Sequence, residues 1–152
     1  MVMRDVDIAY LAGLFDGEGS VMLIRQQART HTKTRPYYLA VSLTNTHRGV
    51  MRWALRTVGY GRLNPRPGAC FWKAHSRQAA SFLKLLRPFL KIKRLEADVA
   101  LTFQAHIERY KHQGYKRIGL QRGRPVLPKR ISTYRESLRQ RIYAIRRRHL
   151  IT

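Results

Sequence analysis

The sequence predicts an α+β fold in which helices and antiparallel strands follow the order α-β-β-α-β-β-α, with a basic helical C-terminal extension. Three observations predict it. Residues 37–44 alternate, with Tyr37, Leu39, Val41 and Leu43 on one side and Tyr38, Ala40, Ser42 and Thr44 on the other, as a half-buried strand does. Ile8, Leu11, Ala12 and Phe15 recur at helical spacing, as do Val50, Met51, Ala54, Leu55 and Val58. Turn chemistry punctuates these runs at Gly59-Tyr60-Gly61, at Pro65-Arg66-Pro67-Gly68 and at Pro88. A chain of 152 residues, 44% apolar, can bury one core, so a single domain over residues 1–152 is expected. Its core spans about 5–110 and its basic helical region about 111–152.

The first element is a helix over residues 5–17, with Asp5 or Asp7 as its N-cap. Gly13 and Gly17 lie four apart on one side of it. Each costs roughly 1 kcal/mol of helix stability against alanine, and close approach of another backbone is the usual reason for such a cost. Residues 20–30 and 37–44 read as a hairpin joined by a long basic tip. A second helix covers 47–58, and a second hairpin 62–64 and 69–75 turns at Pro65–Gly68. Ser76 caps a third helix carrying Ala79, Phe82, Leu83 and Leu86. Leu95, Val99, Phe103 and Ile107 space a fourth. Thr133 and Glu136 form a capping box for a fifth, with Tyr134, Leu138, Ile142 and Ile145 on its stripe.

Composition narrows the partner. The chain has 31 Lys+Arg against 8 Asp+Glu, a formal charge of +23. Such a field attracts a polyanion, nucleic acid first and an acidic membrane surface second. Arginine outnumbers lysine, and guanidinium forks suit phosphates and guanine edges. Residues 117–148 hold eleven basic residues and one acid. They read as a backbone clamp, with Arg117, Arg122, Arg124, Lys129 and Arg130 as its contacts, or as a solvated face. Cys70 is single, which excludes a disulfide scaffold. The six histidines are scattered without zinc-ligand spacing. No phosphate-binding glycine loop supports a nucleotide cofactor, and no apolar run is long enough for a membrane helix. The N-terminus lacks the flank of a signal peptide. An intracellular, non-secreted protein is expected, cytoplasmic in a prokaryote or organellar in a eukaryote.

The acids are the rarer signal. Four of the eight fall within residues 5–18, and Glu18 stands between Gly17 and Gly19. One carboxylate beside a backbone carbonyl is a hard-oxygen donor set suited to Mg²⁺. Glu18 reads as a metal ligand with the Gly17 carbonyl, or as a turn residue paired to an arginine. If the Gly13/Gly17 face packs against its own copy, two such glutamates converge and can share divalent ions across a two-fold axis. Leu11, Ala12, Gly13, Asp16 and Gly17 are the residues assigned to that interface, and the target is then pseudo-palindromic.

The string Leu11-Ala12-Gly13-Leu14-Phe15-Asp16-Gly17-Glu18-Gly19 closely resembles the signature of the LAGLIDADG homing endonucleases, with Glu at the metal-binding acid. The element order over roughly 5–110 is similar to that family's, and one motif in a chain of this length resembles its homodimeric branch. The resemblance implies a homing-endonuclease-like core and an intron-encoded, site-specific double-strand DNA endonuclease. It further implies Mg²⁺ as cofactor, replaceable by Ca²⁺ or Mn²⁺ in crystals. It implies that Glu18 binds metal and that Lys93, in the Pro-Phe-Leu-Lys-like segment 87–93, orders hydrolytic water or stabilises phosphate charge. Asn45 falls where members place a water-positioning residue, often Gln, and Arg48 where a basic partner lies. Asp16 belongs to the signature without being a ligand. Asn45 has a second reading as a helix cap, and Lys93 as a surface lysine.

Strand parity nominates the groove-reading side chains. With Tyr37, Leu39, Val41 and Leu43 inward, Tyr38, Ser42 and Thr44 face outward. Parity from Val21 and Leu23 adds Gln26 and Thr30. Arg62, Asn64, Arg66 and Lys73 are candidates from the second hairpin, and Arg29, Lys33 and Arg35 from the tip. A β-ribbon fits a major groove, where such side chains reach base edges. An RNA-binding maturase, or a relative that binds DNA without cutting it, carries the same charge and motif and remains the alternative.

Overall fold

The computed structural model describes residues 3–27, 37–112, 120–121, 124–125 and 128–150, with side chains described outside 111–112, 120–121 and 124–125. The elements are α1 Asp5–Glu18, β1 Gly19–Arg25, β2 Tyr37–Asn45, α2 Arg48–Val58, β3 Arg62–Arg66, β4 Ala69–His75, α3 Ser76–Leu86 and α4 Arg94–His112. Then come β5 Leu120–Gln121, β6 Arg124–Pro125 and α5 Lys129–His149. The α+β expectation and the order of its first seven elements hold.

The sheet is antiparallel in the order β1-β2-β4-β3. Its register runs Val21↔Val41↔Ala74 and Leu43↔Trp72↔Leu63 on the inner face. These side chains meet Leu11, Ala12 and Phe15 of α1 and Phe82, Leu83 and Leu86 of α3 in one core. Phe82 is its hub, with Phe15 edge-on at 5.1 Å and Trp72 at 4.6 Å. Such aromatic pairs add about 1 kcal/mol each beyond the area they bury.

Local chemistry sets the junctions. The Nδ1 of His47 accepts the Val50 N–H at 3.0 Å and starts α2. Gly59, at φ 80°, ends it with its N–H on the Leu55 carbonyl. Gly61, at φ 88°, lies against the Trp72 indole, whose Nε1 donates to the Tyr60 carbonyl at 3.0 Å. A side chain at 61 would collide with that ring. Gly19 plays the same part where α1 becomes β1, since a Cβ there would enter the Phe15 ring.

Several boundaries differ from expectation. Arg4 is the N-cap of α1, and Asp5 and Asp7 lie in its first turn, where they meet the positive helix end. The first strand ends at Arg25 instead of reaching Thr30. β3 continues through Pro65 and Arg66, because an edge strand tolerates proline, so the turn tightens to Pro67-Gly68. His75 is the N-cap of α3, and Ser76 is its first residue. Leu95 is exposed, whereas Val99 and Phe103 bury as expected and Ala97 and Ala100 join them. α5 begins at Lys129 behind Pro128, so Thr133 is mid-helix and forms no capping box.

Glu136 has a different role. It accepts the Tyr37 hydroxyl at 2.6 Å, Arg139 at 3.0 Å and Gln140 at 2.8 Å. The helix it belongs to shields an edge strand. Arg139 donates to the Leu23 carbonyl at 3.2 Å, and Arg146 to the Val21 carbonyl and, at 2.9 Å, to buried Glu96. Satisfying β1 in this way closes an edge that would otherwise recruit another strand. The basic extension is therefore divided in use. Arg135, Arg139 and Arg146 hold the fold, while Lys129, Arg130, Arg141 and Arg147 are exposed.

The α5 seat is acid-sensitive. Burial lowers the His106 pKa from its ordinary value, with the charges of Arg135 and Arg109 acting in the same direction. The Tyr110 and Tyr134 rings enclose it. Burial raises Glu136, but the hydrogen bonds from Tyr37, Gln140 and Arg139 outweigh it and leave the carboxyl below its ordinary value. A depressed pKa stabilises the fold above the unfolded value and loses that contribution as pH falls. Both groups therefore act in the same direction, His106 below about 6.5 and Glu136 below about 4.5. The urea midpoint should fall between pH 7.5 and pH 5, and His106→Gln should flatten that slope. An equal slope in the variant would remove His106 from the account.

Candidate active site and nucleic-acid interface

Six of the eight acids serve the fold. Asp7, Glu96, Asp98, Glu108 and Glu136 pair with arginines, and Asp16 binds backbone. Asp5 and Glu18 have no hydrogen bond or ion pair among the described residues. In a chain of charge +23, an exposed glutamate that no arginine holds is unusual. Glu18 is the last residue of α1, at the negative end of the helix dipole, with no basic residue in the final turn. The helix ends in carbonyls that no intrahelical N–H reaches. The Phe15 carbonyl takes the Gly19 N–H, and the Asp16 carbonyl takes the Lys93 ammonium. The Gly17 carbonyl comes next, on an exposed residue. A helix C-terminus, a carboxylate and a free carbonyl together form a local anionic spot.

Asp16 locks this corner. Its Oδ2 accepts the N–H groups of Lys91 at 2.7 Å and Ile92 at 3.1 Å, and its Oδ1 that of Lys93 at 2.9 Å. The segment carrying Lys93 is thus pinned under α1, and the Lys93 side chain runs back to the carbonyl beside Gly17. Here the structure adds what the sequence reading lacked. Asp16 is a positioning residue, and a carboxylate just ahead of Gly17-Glu18 was its only local signal. Asp16→Asn should place an amide N–H₂ against one of the three donors and loosen the Lys93 end. Each charged hydrogen bond lost costs about 1.5–3 kcal/mol. The melting temperature should fall and the Lys91, Ile92 and Lys93 amides should exchange with solvent faster; unchanged exchange would remove Asp16 from the hold on this segment.

The other predicted residues divide. Asn45 lies two residues past Leu43, which pairs with Gly19, so it is at the same end of the sheet as Glu18. Its Oδ1 accepts the His47 N–H at 2.8 Å, a turn bond just ahead of α2, whose cap is His47 and not Asn45. Arg48 is exposed at the start of α2, and no hydrogen bond ties it to this corner. The interface set needs correcting. Leu11 and Ala12 are 0% exposed and Asp16 8% in the chain's own core, because the helix turns them inward with Ile8 and Phe15. The outer face carries Val6, Tyr10, Gly13 and Gly17, all exposed. A Cβ built on Gly13 or Gly17 meets nothing within 4 Å, so this chain's own packing does not require either glycine.

On the far side of the sheet the register sets out a second surface. Its rows are Ile24↔Tyr38, Met22↔Ala40↔His75, Ser20↔Ser42↔Lys73↔Arg62 and Thr44↔Phe71↔Asn64, then Ala69↔Arg66. Tyr38, Ser42, Thr44, Arg62, Asn64, Arg66 and Lys73 therefore share one open face, and Gln26 is exposed just beyond β1. Arg66 lies over the Phe71 ring at 5.3 Å. Met22, Ile24, Phe71 and His75 belong to this face as well. The same period-two alternation that turns the polar residues outward places these four beside them. Lys129 and Arg130 are exposed at the start of α5. Arg29, Thr30, Lys33, Arg35, Arg117 and Arg122 lie outside the described residues, as does the side chain of Arg124.

Among the described residues no three His, Cys, Asp or Glu side chains group as a metal site, and no helix is long and apolar enough to cross a membrane. The donors at Gly17 and Glu18 fit a hard divalent cation as part of a coordination shell. Waters, phosphate oxygens or a second copy would complete it.

No protein-family model matches the chain, and no curated protein sequence matches it. Solved structures do. The homing endonuclease I-CvuI, in complex with a DNA target in the presence of Mg, superposes with TM-score 0.74 at 13% identity, over 92% of this chain and 82% of that one. An archaeal intron-encoded homing endonuclease complexed with DNA gives 0.71 at 14% identity, over 93% and 84%. The LAGLIDADG homing endonuclease I-SmaMI, bound to cleaved DNA, gives 0.66 at 13% identity, and this chain spans 42% of its length. The fold is that of the LAGLIDADG homing endonucleases.

Proposed function

We propose that the protein is a divalent-metal-dependent, site-specific double-strand DNA endonuclease, a homing enzyme that acts as a homodimer on a long pseudo-palindromic site. The single observation that carries this is Glu18. It is exposed, held by no arginine among the described residues, set at the negative end of a helix, and two residues past the carbonyl that receives Lys93. A bound Mg²⁺ would polarise the scissile phosphate and lower the pKa of its attacking water. Glu18 and the Gly17 carbonyl would hold the ion. Lys93, kept in place by Asp16, would set its charge where the phosphate becomes more negative. The outward face of α1 would meet its two-fold mate and bring the second glutamate alongside. The open sheet face would lie in the major groove, with Arg62, Arg66 and Lys73 among the groups that fix it there.

Incubation with a plasmid bearing the intron-insertion junction should give double-strand cuts with Mg²⁺ and none with chelator. Binding in Ca²⁺ should weaken with salt, with a slope near −0.9 in log K for each phosphate neutralised. Cutting that survives chelation, or binding flat in salt, would overturn the reading.

A further inference from the structure

The open sheet face is not uniformly polar. Its rows split into two chemistries. The Ser20 row, and those beyond it along β2 toward Asn45, carry Lys73, Arg62, Thr44, Asn64 and Arg66, with Phe71 against the Arg66 guanidinium. The two rows on the other side carry Met22 and Ile24 from β1, with Tyr38, Ala40 and His75 opposite. Met22 and Ile24 are half-buried, yet they do not belong to the hydrophobic core or to the side chains packed against it. Ala40, flanked in register by Met22 and His75, is 1% exposed, and the Tyr38 and His75 rings meet at 5.7 Å. Met22, within that covered row, and Ile24 beside it therefore give this face a half-exposed apolar stretch that is not part of the core.

An apolar side chain cannot hydrogen-bond a base edge. The one apolar feature in the major groove is the thymine 5-methyl group. Guanine or cytosine opposite Met22 or Ile24 would leave polar edges facing carbon, a desolvation penalty with no return. Strand residues two apart are about 6.6 Å apart, and bases on one strand 3.4 Å. From Ser20, two residues past Glu18, the two rows thus step outward by roughly two and four base pairs. The charge of Arg62, Arg66 and Lys73 on the same face suits a nucleic-acid occupant over a second protein.

We propose that Met22 and Ile24 read thymine methyl groups, so that each half-site of the substrate carries A·T pairs at two places displaced from the scissile phosphate. This rests on the reading of the open face as the duplex-binding surface. Purified full-length protein in Ca²⁺ should select, from a randomised duplex library, sites with thymine at those places. The selected duplex is then remade with deoxyuridine for every thymidine, which removes only the methyl groups. Loss of one buried methyl weakens binding about four-fold, so two in each of the two half-sites should cost about two hundred-fold. Met22→Ser/Ile24→Thr should bind the two duplexes equally. The substitution in the DNA leaves the protein untouched, so the test stands even if the variant folds poorly. Selected sites without thymine, or equal affinity of the wild type for both duplexes with a steep salt slope retained, would overturn this inference alone. Failure to bind any duplex would overturn the reading of the surface with it.

Discussion

Glu18→Gln should cut its target at least about a thousand-fold more slowly than the wild type and bind it as well or better. Glutamine keeps the shape and one oxygen but removes the charge that would hold the cation. Electrostatic stabilisation by such an ion is worth several kcal/mol, and about 4 kcal/mol corresponds to three powers of ten in rate. Since Glu18 has no hydrogen bond or ion pair among the described residues, its replacement orphans none of them, and the melting temperature should stay put. Loss of a negative charge near phosphate should, if anything, favour binding. Single-turnover cleavage in Mg²⁺ and equilibrium binding in Ca²⁺ separate the two effects. Normal cleavage by Glu18→Gln would remove this residue from the chemistry.

Gly13→Leu should give a more stable chain that no longer works. A Cβ at Gly13 meets open space within the chain, and leucine in place of glycine favours the helix by close to 1 kcal/mol. If two α1 helices approach at Gly13 and Gly17, symmetry drives two leucines into the contact. Overpacking of this kind costs about 1–3 kcal/mol for each intruding side chain. Dimer affinity should fall a hundred-fold or more, and double-strand cutting with it. Sedimentation would report the monomer, and urea unfolding the gain in stability. A Gly13→Leu protein that remains a dimer and cuts normally would place the assembly on another surface. Tyr10, edge-on to Trp53 at 5.3 Å, and Val6 extend the exposed face over which the mate would lie.

Sequence patterning carried further for the fold than for the site. The strand at Tyr37–Thr44 was legible because alternation is a local property and one face is buried along its whole length. The stripe Ile8, Leu11, Ala12 and Phe15 was legible for the same reason. Its orientation was harder to read. A helix bearing both large apolar residues and glycines has two candidate contact faces, and only the packing of Phe15 on Phe82 shows which one the chain keeps for its own core. The apparent capping box at Thr133 failed because a local pattern competes with distant partners. Tyr37 and Arg139 claim Glu136, and Pro128 sets the helix start instead.

Residue order alone thus established an α+β chain with a strong positive field, a hairpin with a two-faced strand, and an exceptional glutamate between two glycines. These depend on near neighbours, on composition, or on a motif contiguous in the chain. Tertiary structure alone decided that Asp16 binds Lys91, Ile92 and Lys93, that arginines of α5 seal the edge of β1, and that Phe15 packs on Phe82 and so turns the glycine face of α1 outward. Each of these joins or separates groups by folding across tens of residues, and hydrogen bonds and burial act on distances in space, which chain order does not encode.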